Sequence, residues 1–230
     1  MLRSQIVACS LIAIAATEAA AQTPSAGQPQ QPPAPMTFFI TSAGPGDGGN
    51  LGGLAGADAH CARLAQTAGV TLPNGRVWRA YLSAVGTDGR AINARDRIGP
   101  GPWHNKNGAL IAATVADLHG DILRDRNSIN KEFALDEKGQ PVKGRGDTPN
   151  QHDILTGSDS FGRAVPGSAD SNCSNFTSNA TTGGAMVGHH DRSGGGNTSW
   201  NSAHMSRGCS QANLVATGGA GLFYCFGGVG

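Results

Sequence analysis

Apolar residues along this chain come in short runs between glycine-rich breaks, and the spacing within each run predicts its element. Phe38–Ala43 (FFITSA) is apolar and β-branched and is ended by Gly44-Pro45-Gly46-Asp47-Gly48-Gly49, which predicts a first strand. From Leu51 to Val70 the period changes. Leu54, Ala57, Cys61, Leu64, Ala65 and Ala68 recur at steps of three and four, the mark of a helix, and Gly69 stops it. Cys61 then lies on the buried face. Val77–Ala84 (VWRAYLSA), between Pro73-Asn74-Gly75 and Gly86–Gly89, carries apolar groups on both faces and predicts a central strand.

The pattern weakens after that. Residues 91–124 mix short apolar runs with turn chemistry, and GALIAATVADL (108–118) fits a strand or a short helix. Residues 136–151 are polar and predict an exposed loop or hairpin. Short strands are expected at Ile154–Thr156, Cys173–Thr177, Ala185–Val187 and Leu222–Phe226, with a Gly/Ser/Asn-rich excursion from His189 to Gly208. A helix early, strands late and no alternating β-α order give an α+β class. There is no internal repeat.

The first residues have the three parts of a secretory signal: Arg3, the apolar stretch Ile6–Ala16, and Ala19-Ala20-Ala21 before a cut at Gln22. Residues 22–36 are rich in Pro and Gln and uncharged, which predicts an extended linker. Residues 37–230 then form one domain, with no membrane span once the signal is removed. Net charge is +1, so no nucleic-acid footprint is present. The 35 glycines and 5% aromatic content point to a turn-rich domain rather than a helical bundle. Cys9 leaves with the signal, so the mature chain keeps Cys61, Cys173, Cys209 and Cys225, an even set in an oxidising compartment. Four cysteines leave three pairings open.

GLAGADAHCARLAQTAG (53–69) followed by WRAYLSA (78–84) resembles the opening of the endostatin-like branch of the C-type lectin-like family. ARDRIGPGPWHNKNG (94–108), ILTGSDSFG (154–162), CSNFTS (173–178), SWNSAHMSRGC (199–209) and GLFYCF (221–226) resemble later parts of exported bacterial lectin-like proteins of this fold. The resemblance implies mixed antiparallel strands with one or two helices and long loops. It also implies nested disulfides, Cys61 with Cys225 and Cys173 with Cys209. The function it implies is a secreted or periplasmic, non-catalytic module that binds carbohydrate or a glycoconjugate through the 188–208 loop.

In calcium lectins of this fold a Glu-Pro-Asn-like triplet and a Trp-Asn-Asp triplet supply cation ligands, and calcium takes about six to eight oxygens. Here Trp200-Asn201-Ser202 lacks the acid and Val165-Pro166-Gly167 lacks acceptor side chains, so no cofactor is expected and calcium is the exception to test. Sugar can also be held directly by amides, hydroxyls and an indole face. Asn197, Trp200, Asn201, Ser202 and His204 offer that set, with His190, Asp191 and Arg192 beside it. The bland alternative for Trp200 is a core plug beneath the loop. His189, His190, Asp191 and His204 are weak metal candidates, since imidazole and carboxylate suit zinc but adjacent strand residues point apart. The zinc site of endostatin uses N-terminal histidines, which residues 22–50 lack. Two other functions stay in view. One is an adhesin of the same fold binding a host or envelope protein, and the other a metal-dependent enzyme. No common catalytic motif stands out, and the Arg145–Asp147 RGD tripeptide reads as chance in a polar loop.

Overall fold

The structure, a computed structural model, describes residues 33–120, 125–165, 167 and 170–229. The expected signal peptide, most of the linker and Pro166 lie outside the described residues. The compact unit runs from Pro33 to Gly230, and Met36, at the end of the expected linker, is already buried in its core.

In chain order the elements are β1 (Phe38–Ile40), α1 (Gly53–Thr67), β2 (Val77–Ala80), β3 (Ala84–Val85), β4 (Ala91–Ile92), α2 (Ala94–Arg97), β5 (Trp103–His104), β6 (Leu110–Ala112) and α3 (Val115–His119). There follow β7 (Asp153–Leu155), α4 (Cys173–Phe176), β8 (Met186–His189), β9 (His204–Met205), α5 (Gln211–Thr217) and β10 (Gly219–Gly228). The class is α+β. The main sheet runs β1-β10-β7-β8-β9, with β2 also paired to β10; two two-stranded sheets, β3-β4 and β5-β6, stand apart.

β10 organises the molecule. β1 pairs antiparallel along one edge, while β7 (parallel) and β2 (antiparallel) share the other. Successive strand residues point to opposite faces. Phe223 and Cys225 therefore join a core with Phe39, Trp78, Leu155, Val187 and α1, while Leu222, Tyr224 and Phe226 join a second core with Phe38, Ile40, Tyr81, Trp103 and Trp200. A sheet covered on both faces explains why FFI and LFYCF are unbroken apolar runs rather than alternating ones.

The helix α1 carries its buried residues Ala57, Cys61 and Ala65 at four-residue steps, as its sequence predicts. It ends where Gly69 adopts φ +67° and Val70 N–H donates to the Ala65 carbonyl. Asp58, on this helix, accepts hydrogen bonds from Ala80 N–H (2.8 Å), Arg79 Nη1 (3.0 Å) and Arg97 Nη2 (2.7 Å). One carboxylate thus ties α1 to β2 and α2. The two disulfides are Cys61–Cys225, joining α1 to β10 across a separation of 164 residues, and Cys173–Cys209, with a separation of 36.

Several expectations change; the one or two helices become five among the described residues, and the pairing of β7 with β10 is parallel in an otherwise antiparallel sheet. The run 77–84 divides into β2 and β3, and β2 pairs only with β10 among the described strands, so it is not central. The 108–118 run is a strand and then a helix, because Thr114 Oγ1 accepts from Asp117 N–H and caps α3. Residues 173–177 form no strand. Cys173, Ser174, Asn175 and Phe176 have φ between 51° and 60°, a left-handed turn held by the disulfide and by burial of Phe176. The 136–151 segment is a loop, but not a fully exposed one. Glu137 is sealed inside it, its carboxylate accepting from Ser42 N–H and Ser42 Oγ–H.

Candidate functional site

β7 and β8 run antiparallel with Asp153 opposite His189, and β9 sets His204 opposite Val187. Opposed residues share a face, as do positions two apart. Asp153, His189 and His204 therefore project from one side of the sheet, the side that carries Leu155 and Val187. His152 enters from the residue before β7, its backbone N–H donating to Asn150 Oδ1 at 3.2 Å and its ring stacked on His189 at 4.3 Å.

Three imidazoles converge on one oxygen. Asp153 Oδ1 lies 3.1 Å from His152 Nε2, 3.3 Å from His189 Nε2 and 3.6 Å from His204 Nε2. His189 Nε2 and His204 Nε2 are 3.0 Å apart. The side chains of His152, Asp153 and His189 are 8%, 2% and 5% exposed, while that of His204 is 41% exposed. His152, Asp153 and His189 form a compact set of three donor atoms, and His204 closes it from the solvent side.

The polarity here is unsatisfied. Neither oxygen of Asp153 accepts a hydrogen bond in good geometry, although the ring nitrogens lie close to Oδ1; His189 Nδ1 makes no hydrogen bond either, and His152 Nδ1 has only the longer contact of 3.5 Å to Asp191 Oδ1. Among the described residues every buried side-chain polar atom without a hydrogen-bond partner belongs to this corner, with His190 Nδ1 and Ser193 Oγ completing the set. A buried carboxylate without donors costs several kcal/mol, which a cation offsets. Imidazole nitrogens with one carboxylate oxygen are a donor set for zinc or a neighbouring first-row divalent ion, not for calcium.

Asp191 stands behind the centre, its Oδ1 3.5 Å from His152 Nδ1. Burial alone would raise its pKa. The adjacent His152 imidazole and the N–H groups of Arg145 and Ser193 outweigh that and hold the carboxyl well below the usual carboxylate range. Asp191 is thus a charged group placed to orient His152. In front of the centre lies a cleft of about 480 Å³, lined by Arg145, Asn150, the three imidazoles, Asn197 and the Gly194–Gly196 run.

The residues singled out in the sequence divide. His189 and His204 meet in the centre. His190, next in the chain, turns away, donates from Nε2 to the Lys143 carbonyl, and is kept neutral by burial that lowers its pKa. Trp200 is a core residue, 1% exposed, its ring against Tyr81, His119 and Tyr224. Asn201 is also 1% exposed, its amide donating to Tyr81 Oη and to the Asp159 and Ser160 carbonyls while its oxygen accepts from Ser199 Oγ. Neither presents a free face or amide to a ligand, and the Trp200-Asn201-Ser202 triplet keeps no free amide oxygen for calcium. Arg192 is bound to Asp125, Asn127 and the Ile129 carbonyl. Asn197 lines the cleft, but its amide holds the Ser202 and Ala203 carbonyls. Ser202 contributes backbone contacts to the same turn.

Sequence reasoning missed His152 and Asp153 as a site. The signal was an His-Asp pair opening a short strand, unreadable until that strand is registered against β8. No protein-family model matches the chain, and the search of curated proteins found no match.

Proposed function

We propose that this chain is an exported metal-binding module of the C-type lectin-like, endostatin-type fold. In this reading a zinc-class ion is held by His152, Asp153 and His189, and its fourth position, on the solvent side beside the half-exposed His204, takes a polar ligand, carbohydrate among them. One observation carries the reading: the unpartnered buried polar atoms of the described residues gather where three imidazoles meet a sealed carboxylate. The half-exposed His204 supports an open side, because catalytic and ligand-binding zinc sites keep a position that solvent can reach. The two disulfides, the nested order of the cysteines and the leader-like N-terminus support export. Binding is favoured over turnover because, among the described residues, no carboxylate lines the cleft to take a proton from a metal-bound water.

Elemental analysis of the full chain purified without chelator, followed by calorimetric titration with zinc, tests this. One zinc per chain is expected, with Asp153→Asn and His189→Ala each weakening zinc by more than about 100-fold, the upper range seen for loss of partners behind the ligands. Equal zinc affinity in the wild type and both variants refutes the site.

A further inference from the structure

We propose that the ligand taken at this centre is a carboxylate, with one oxygen on the metal and the other paired with Arg145. The inference rests on the metal reading above and goes further, to the chemistry of what binds there.

Arg145 is exposed at the cleft, and its guanidinium has no hydrogen-bond or ion-pair partner among the described residues; only its backbone N–H is engaged, by Asp191. Its head group shares a wall with the metal ligands. A Cβ built on Gly194, whose φ is +100°, would lie 3.0 Å from Arg145 Nη1 and 3.6 Å from the Cε1 atoms of both His152 and His189. The missing side chain at Gly194 thus leaves open the gap between the guanidinium and the centre. Gly195 and Gly196 continue that open wall, with nothing within 4 Å of a Cβ at either. Asn150 adds a second donor, since its oxygen accepts from His152 N–H and its amide nitrogen has no hydrogen-bond partner among the described residues.

The charges then select the ligand. Among the described residues the cleft walls carry donors and no carboxylate, while the side chains of Asp153 and Asp191 lie behind them, each 2% exposed. A divalent ion and Arg145 against those two acids leave one positive charge. A singly charged anion balances it better than a dianionic phosphate, and a carboxylate has two oxygens to divide between the ion and the guanidinium, whose N–H groups form a charge-assisted hydrogen bond to the second. The same tripeptide that holds Arg145 contains Asp147, which is occupied by Lys131 Nζ at 2.7 Å and by Gly144 N–H. The Arg acts without its Asp, so an RGD-type role is not supported.

The test uses the zinc-loaded full chain, titrated calorimetrically with galacturonate, its methyl ester, galactose, acetate and inorganic phosphate, alongside Arg145→Gln. Galacturonate is expected to bind at least tenfold tighter than the ester, galactose and phosphate. Arg145→Gln should remove that preference while the zinc stoichiometry stays at the wild-type value. Acetate matching galacturonate supports the carboxylate and makes the sugar ring dispensable; acetate weaker than galacturonate supports an acidic sugar. Galacturonate no tighter than its ester, phosphate binding tighter than galacturonate, or a preference that survives in Arg145→Gln overturns the proposal. Each of those results leaves the metal centre standing if zinc is bound, whereas absence of zinc from the wild type fails the earlier reading instead.

Discussion

Asn201 offers the sharpest separation between a structural and a ligand-binding role for the 188–208 loop. Its carboxamide makes four hydrogen bonds inside the protein: to Tyr81 Oη at 3.0 Å, to the Asp159 and Ser160 carbonyls at 3.2 and 3.3 Å, and from Ser199 Oγ at 2.9 Å. At a net worth of about 1 kcal/mol each, Asn201→Ala should cost about 3–4 kcal/mol, because the groups left behind are buried. That is a large part of the roughly 5–15 kcal/mol that holds an ordinary domain together. At about 2–4 °C per kcal/mol for a domain of this size, the melting temperature should fall by roughly 6–16 °C. Asn201→Asp should cost more than Ala despite its identical shape, since it turns an acceptor oxygen toward three other oxygens in a dry site. A calcium ligand would behave in the opposite way, with Asp preserving or improving the protein. Denaturant titrations and thermal melts in the presence of chelator measure both variants. Unchanged stability in Asn201→Ala, or Asp as stable as the wild type, refutes the structural role.

Removing Cys61–Cys225 by paired alanines should destabilise the domain by about 5 kcal/mol, and removing Cys173–Cys209 by about 4 kcal/mol, from the loop each one closes. Denaturant midpoints of the two paired variants check the order, and equal or reversed losses would contradict it. His60 gives a pH dependence. Burial lowers its pKa, outweighing the hydrogen bond its Nε2 donates to the Ala43 carbonyl, while Nδ1 accepts from Arg63. The unfolded chain therefore takes up the proton first. Above about pH 6.5, the ordinary imidazole value, this difference costs nothing, and as the pH falls from there toward the lower folded-state pKa the fold loses stability. His60→Gln, which keeps a donor for Ala43, should lose less stability between pH 7.5 and 5.5 than the wild type in matched urea titrations, and an equal loss would remove His60 as the cause.

How much of the site was legible depends on which residues carry it. His189 and His204 were visible as metal candidates because they sit in a polar, histidine-rich loop. Asp153 and His152 were not, because a single carboxylate beside a single histidine is common in any sequence. What joins them is the register of β7 on β8, a contact between residues 36 apart in the chain. Trp200 and Asn201 were misleading for the converse reason. Composition marks an indole and an amide in a Ser/Asn-rich loop as ligand-like, but the loop folds back so that Gly188 meets the backbone of Trp200. A Cβ there would lie 1.8 Å from the Trp200 carbonyl oxygen, an overlap that only glycine avoids. That close approach accompanies the burial of the ring in the core.

By itself the sequence determined the local elements with a strong period: α1 from its three- and four-residue spacing, β1 and the middle of β10 from unbroken apolar runs, and an α+β class from their order. It set the even cysteine count without selecting a pairing, which the resemblance supplied and the fold matches. Only the tertiary structure decided the rest, because the deciding contacts are long-range. The left-handed turn at 173–176 follows from a disulfide and a buried ring rather than from local propensity. α5, signalled only by the Ser210 cap and Gly218, is settled by packing of Leu214 into the core. The centre itself exists because strands distant in sequence place three imidazoles and a carboxylate on one face, where burial removes the water that would otherwise satisfy them.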